Sequence, residues 1–250
     1  MFKRLVLIFL FTPFLAFPQK EIPYQVGEYS AFDVSFGAII VGHAELEIVE
    51  EKLIDSTSTF HIVGKGKTAY FFDWFFKVRD VYETFLDTSK LLPIKFIRDI
   101  NEGPYSKKQN YFFHHSDSIV KHNDTAYKIP FNSQDMLSAL FYARTFNKEE
   151  VKKTNSFFVP IFMDEENYFL EVSYLNNEVI ETEFGKVDCM VFKPKMQEGR
   201  VFEDGEEMKI WISDDKNHLL MKVETKIWAG TIKAVLADYK ELKFPLSIIQ

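Results

Sequence analysis

At 250 residues, with 46% hydrophobic and 27% charged side chains, the chain has ordinary globular composition, which excludes a disordered chain or a fibre. Its formal net charge of −7 argues against sequence-independent binding to nucleic acid, which needs a basic surface. Aromatic residues reach 16%, with 27 Phe against 10 Gly and 9 Pro, and such bulky side chains favour pleated surfaces, so strands should dominate.

Lys3 and Arg4 precede an apolar run from Leu5 to Phe17, interrupted only by Thr12 and Pro13. This is the pattern of a signal peptide over residues 1–19, and the run is shorter than the roughly 20 apolar residues of a membrane span. No cysteine lies near the boundary, so a lipoprotein tether has no acceptor thiol. The expectation is a periplasmic or secreted protein with one β-rich domain over residues 20–250 and no transmembrane anchor after signal cleavage. Without Lys3 and Arg4 the 30 basic residues fall to 28 against 37 acidic ones, a balance of −9 that disfavours electrostatic adhesion to an anionic membrane.

Tyr29 to Phe36 and Ile40 to Val49 both alternate with period two, and Gly37-Ala38 between them suits a tight turn, so the pair reads as a hairpin. Thr59 to Val63 follows as a strand. Between Lys67 and Lys77, six aromatic residues surround a single Asp73. That segment reads either as a plug of the core or as a rim that contacts an apolar ligand or dips into a bilayer surface. Val78 to Leu86, Ile94 to Ile100, Lys108 to Phe113, Ser118 to Lys121 and Thr125 to Ile129 continue the strand pattern, with Asn123-Asp124 as a turn. In the first of these Asp80 reads either as part of a solvated stripe, the preferred reading, or as a paired polar group inside a wet cavity.

Gln134 to Phe146 is the one predicted helix. Asn132 or Ser133 can cap it, Asp135 lies in its first turn, and Met136, Leu137, Leu140 and Phe141 form an apolar stripe. Strands resume at Phe157 to Phe162, Tyr168 to Tyr174, Glu178 to Thr182, Lys186 to Lys193, Glu207 to Ser213, Leu219 to Lys226 and Thr231 to Tyr239, with a polar turn at Asp214 to Asn217. About fourteen strands imply a mainly β fold, a large antiparallel sheet curled into a barrel or half-barrel, with the amphipathic helix on its concave face. Cys189, the only cysteine, shares a face with Val187 and Val191 and reads as a small buried hydrophobe.

Several local patterns occur in a familiar order. They are Gly27-Glu28-Tyr29, Phe36-Gly37, Val41-Gly42-His43-Ala44, Asp80 with Asp87, Leu92-Pro93, Glu102-Gly103, Gln134 to Arg144, Met208 to Asp215, and Gly230-Thr231-Ile232-Lys233-Ala234. Together they resemble the exported bacterial family called domain of unknown function 3108, over nearly all of the mature chain. The resemblance implies an envelope protein of β-rich fold, related in architecture to periplasmic lipoprotein carriers that hold acyl chains in an unclosed barrel. It implies no catalytic residues. Where many relatives carry Arg-Ile-Pro after the Ser-Asp-Asp turn, this chain has His218-Leu219-Leu220.

Chemistry-bearing motifs are sparse. His114 and His115 are adjacent on a predicted strand and so point to opposite faces, which does not suit one metal. Asp164 to Glu166 and Asp214-Asp215 lie in turn-like contexts. No nucleophile elbow, phosphate loop, dinucleotide fingerprint or zinc-protease run occurs. The reading therefore assigns no catalytic residue, metal or cofactor, and points away from an enzyme without closing the question. Its preferred function is an envelope protein that binds an apolar, lipid-like molecule in the curled sheet. Phe72, Trp74, Phe75, Met136, Leu140 and Phe141 would form the apolar lining, and Arg144 would either serve the helix C-terminus or anchor a headgroup. The alternatives are a structural or protein-interaction module of the envelope, and a glycan or cell-wall hydrolase built on two converging carboxylates.

Overall fold

The computed structural model describes residues 21–196, 207–228 and 230–249; the predicted signal peptide over 1–19 lies outside the described residues. Among the described residues, fourteen strands form one antiparallel sheet. They are β1 (Tyr29–Phe36), β2 (Ile39–Ile54), β3 (Thr57–Thr68), β4 (Arg79–Asp87), β5 (Pro93–Glu102), β6 (Tyr105–His114), β7 (Ile119–His122), β8 (Thr125–Lys128), β9 (Ser156–Met163), β10 (Glu166–Thr182), β11 (Gly185–Met196), β12 (Glu207–Ser213), β13 (Leu220–Ile227) and β14 (Gly230–Lys240). Their spatial order runs β8 to β1 and then β14 down to β9. Two up-and-down meanders therefore meet where β14 pairs with β1.

Neighbours in each meander need only short turns, but the link from β8 to β9 must pass between the two edges of the sheet. That link carries the helices, α1 (Met136–Arg144) and α2 (Lys148–Thr154). The sheet curls enough to bring its ends together: Asn167 Nδ2 of β10 donates to Lys128 O of β8 at 2.8 Å. Helix α1 then sits between β4 and β9, with the Thr84 hydroxyl donating to Asp135 at 2.6 Å and Ala139 packed with Val159 and Ile161. The curled, mainly β architecture matches the sequence reading; α2 was not anticipated, because its seven residues are too few to show a helical period.

Two boundaries differ for identifiable reasons. Tyr168 to Tyr174 and Glu178 to Thr182, predicted as separate strands, are one strand, β10. The polar Asn176-Asn177 pair marks a register shift against β11, with Leu175 pushed outward, and not a chain reversal. The helix begins later than Asn132 or Ser133 would set it. Gln134 is held extended by β9, donating to Pro160 O and accepting from Phe162 N, both at 2.8 Å, so the chain cannot turn helical before Asp135. The Asp135 carboxylate accepts from the Leu137 and Ser138 amides at 2.8 and 2.7 Å, while Ser138 Oγ accepts from the Asp135 amide at 2.8 Å, a reciprocal capping box.

Several strands of the second meander bury both faces. In β11, Val187, Cys189 and Val191 join Trp211, Leu219, Met221 and Leu236 in one cluster, while Met190 and Phe192 face another. Cys189 is fully buried, as its alternation predicts, and burial pushes its thiol up to about 12. In β9, Val159 and Ile161 face α1, whereas Phe162 packs edge-on against Tyr111 at 5.3 Å in the cluster that also holds Tyr24, Phe96 and Phe141. Asp80 departs from the preferred reading of a solvated stripe and is nearer the alternative of a paired polar group. It is buried and accepts from the Asn101 amide at 2.9 Å; a short carboxylate tied to a neighbouring strand's backbone can be covered without an unpaired charge.

Gly42 lies at the register shift between Val34 and Ser35, and a Cβ there would come within 2.7 Å of Lys67 O on β3. The obstacle is backbone, which cannot move aside like a side chain. Gly42→Ala should therefore cost about 1–3 kcal/mol, the usual range for overpacking, seen as a lower urea midpoint at unchanged slope.

Candidate functional site

The strands β9 to β12 contribute alternate residues to a common wall. Phe157 and Val159 of β9 stand opposite Val172 and Leu170 of β10; Val172 in turn stands opposite Pro194 of β11, and Phe192 and Met190 of β11 face Ile210 and Ile212 of β12. All nine line one cavity of about 220 Å³. The period of two puts them on a single face. Met136, Ala139, Leu140 and Ala143, spaced three or four residues apart on α1, supply the opposite wall. The short side chains of Ala139 and Ala143 leave part of the space between helix and sheet unfilled.

Among the described residues, the charged or titratable groups of the lining are Arg144, Lys148 and His218, which approach one end of this cavity. The described lining holds no Asp, Glu, Ser or Cys, so the converging carboxylates of the hydrolase reading are not in this space. The same end adjoins a polar depression that also touches Phe146, Lys148 and His218 and is bounded by Asp215, Lys216 and Phe244. Asp214, just beyond it, fastens α2 to the β12–β13 turn. Its partial burial raises its pKa, but hydrogen bonds from Lys152, Asn177 and Lys148 outweigh that and bring it to about 2.

The seven residues grouped by sequence separate into three places. Met136 and Leu140 line the cavity. Phe141, one residue on, points to an adjoining side of α1, where its ring meets Tyr24 edge-on at 5.1 Å in the core; a helix turns by about 100° per residue, so neighbours in one apolar stripe need not share a partner. Phe72, Trp74 and Phe75 lie in the β3–β4 connection, with Trp74 and Phe75 exposed, and none of the three is part of the cavity wall.

Arg144 touches the cavity but spends its guanidinium elsewhere. It pairs with Glu28 through two contacts at 2.5 and 3.1 Å, donates twice to Asn217 O, and lies 5.1 Å from the Tyr24 ring centroid. Both members of the pair are almost fully buried. His218 Nδ1 sits 2.6 Å from Arg144 O, at the helix C-terminus. Glu28, Arg144 and the Asn217-His218 turn, far apart in the chain, thus converge at the polar end of the cavity.

The β-strand wall residues were individually legible as apolar strand positions. Which of their two faces would meet α1 was not, because both faces of these strands are buried and periodicity then carries no direction. The His114, His115 and His122 rings lie apart: His115 Nε2 is 2.9 Å from Pro93 O and His122 Nδ1 is 2.9 Å from Asn110 O. Among the described residues no group of three or more His, Cys, Asp or Glu is placed to hold a metal. No helix among them is long and apolar enough to cross a membrane.

Residues 31–237 match a protein family described as Protein of unknown function (DUF3108). Among solved structures, a β-barrel-like protein of domain of unknown function DUF1849 from Brucella abortus is similar over 88% of this chain and 99% of its own, at 9% identity and a TM-score of 0.58. That likeness shows a shared fold. A presumed lipoprotein from Parabacteroides distasonis (12% identity, 88% and 97% covered, TM-score 0.39) and a presumed exported protein with a YmcC-like fold from Bacteroides fragilis (11%, 88% and 98%, 0.32) are more distant. Among curated proteins none matches.

Proposed function

We propose that this chain, which belongs to the DUF3108 family, is an exported binding protein that takes up the apolar part of a lipid-like molecule between α1 and strands β9 to β12. The observation that carries the reading is the cavity of about 220 Å³ with an almost wholly apolar lining. It is larger than the engineered apolar cavity of about 150 Å³ that admits benzene, and ligand sites are commonly apolar with few polar groups at one end. A non-enzymatic role agrees with a described lining that offers no carboxylate, hydroxyl or thiol beside His218 and Lys148. Export rests on the Lys3 to Phe17 pattern, and the N-terminal sequence of protein recovered from the cell envelope should begin near residue 20.

The test is uptake of 1-N-phenylnaphthylamine, whose fluorescence rises in an apolar site, together with native mass spectrometry of protein purified without delipidation. Ala143→Trp places a large ring in the cavity from the helix side and should weaken uptake about tenfold or more, equivalent to about 1.4 kcal/mol, while leaving the circular dichroism spectrum intact. Wild-type protein that takes up no probe and carries no lipid mass, or a variant that binds as well as wild type, removes the reading.

A further inference from the structure

Four neighbouring connections end at the same edge of the barrel-like sheet and expose aromatic or aliphatic side chains there. In the β3–β4 connection Tyr70, Phe71, Trp74 and Phe75 are 92, 74, 80 and 78% exposed, and in the β13–β14 turn Trp228 is 93% exposed. The gaps between them are filled by contact. A Cβ at Gly230 would lie 3.0 Å from the Phe36 ring, Ala69 N donates to Val41 O at 2.9 Å, and the Phe76 ring lies against Gly103 of the β5–β6 turn. Phe36, Ile39 and Tyr105, also exposed, complete one continuous rim. So large a patch is not what a water-facing loop needs.

The rim is held in this orientation from within. Asp73, the only acidic residue of the aromatic segment, turns back toward the sheet, accepting from the Thr68 hydroxyl at 2.6 Å and from both Arg79 terminal nitrogens at 3.1 and 2.6 Å. Those bonds keep its carboxyl below the usual range. The polar side chain therefore points inward and the aromatic ones outward, the reverse of a solvated loop. Local charge is also reversed relative to the acidic chain. Residues 65–79 carry four basic side chains and one acidic, and residues 222–233 carry three and one. Lys77 and Lys226 are exposed and make no ion pair among the described residues.

We infer that this rim docks on the surface of an anionic phospholipid bilayer, with the Tyr70 to Phe75 turn and Trp228 entering the headgroup region and Lys77 and Lys226 meeting its negative charge. Trp and Tyr prefer that depth, and burial of apolar side chains combined with basic contacts is what holds a protein at an interface. The whole chain's acidity opposes adhesion only where acidic groups come within about 8 Å of the bilayer at physiological salt, whereas the rim brings its own lysines into contact. Protruding tips from separate turns suit a soft interface better than a groove-shaped protein partner.

Flotation with vesicles of phosphatidylethanolamine and phosphatidylglycerol tests this, using the mature chain. The combined variant Phe71→Ser, Trp74→Ser, Phe75→Ser alters exposed side chains and should leave circular dichroism unchanged while lowering vesicle partition at least about tenfold. Lys77→Glu with Lys226→Glu should weaken binding to these vesicles about tenfold and leave binding to phosphatidylcholine vesicles nearly unchanged. In a Trp211→Phe background, the remaining two tryptophans should shift to shorter emission wavelength on binding. Wild-type protein that ignores both vesicle types, or a serine variant that floats equally well, overturns the inference. So does a concentration-dependent dimer, or one protein crosslinked at Trp74 in cells, that disappears in the serine variant without any vesicle binding. The cavity reading stands or falls separately, since Ala143→Trp should float like wild type and the serine variant should still take up the fluorescent probe.

Discussion

Arg144→Met is expected to lower unfolding free energy by about 3–5 kcal/mol, the cost of leaving one member of a buried ion pair uncompensated. Here the orphaned group would be Glu28, buried at the start of β1 with no alternative cation in its described contacts. Two donations to Asn217 O would be lost with it. Glu28→Leu combined with Arg144→Met should recover a large part of that loss, because two apolar side chains remove both buried charges at once. Urea melts of wild type, both single variants and the double variant give the coupling energy directly. A single-variant loss below about 1 kcal/mol, the scale of an exposed ion pair, would show that water reaches the pair. Since Arg144 ends α1 beside the cavity, the same variant should also bind 1-N-phenylnaphthylamine less tightly, through displacement of the helix wall.

The second large effect concerns pH. Asp135 is fully buried, and burial raises its carboxyl to about 6 even though the Ser138 and Leu137 amides and the Thr84 hydroxyl favour the charged form. The folded state therefore holds this proton more tightly than the unfolded chain, whose value is near 3.8. The resulting stabilisation is complete below about pH 3.8 and is lost as pH rises through about 6. Two pH units correspond to about 3 kcal/mol. Asp135→Asn keeps a good cap, with its amide oxygen accepting from the same backbone groups and its nitrogen able to donate to Thr84. It should match wild type near pH 4 and exceed it by about 1–3 kcal/mol at pH 7.5. Urea midpoints for both proteins at several pH values decide the matter, and parallel curves with no divergence between pH 4 and 7 would reject it. Asp135→Ala, which loses the cap itself, should be less stable than Asp135→Asn by about 1–2 kcal/mol at every pH.

Both effects centre on α1, and its history in the sequence is instructive. The stripe of Met136, Leu137, Leu140 and Phe141 is visible at once, and so is the need to cover it. The stripe is nevertheless wide enough to face two partners: Leu137 and Phe141 reach the core, Met136 and Leu140 the cavity. Glu28 and Arg144 are separated by 116 residues, and a charge at a helix terminus reads as a dipole or solvent partner unless the opposing charge is known. Composition alone favours a core plug over an exposed rim for the aromatic segment at Tyr70 to Phe76, whereas Tyr70, Phe71, Trp74 and Phe75 are exposed. Asp73, bonded inward to Thr68 and Arg79, is what turns it outward.

The amino-acid order alone determines the strand content, the hairpin turns, the buried state of Cys189 and the presence of an amphipathic helix, because each follows from periodicity and turn chemistry over a few residues. The curl of the sheet, the meeting of β1 with β14, the choice of face along β9 to β12 and the pairing of Glu28 with Arg144 depend on contacts between distant segments. Strands apolar on both faces carry no local mark of which side meets a helix. The cavity exists because the short side chains of Ala139 and Ala143 do not fill the space opposite a wall built by four strands, a relation between surfaces that no single stretch of chain contains.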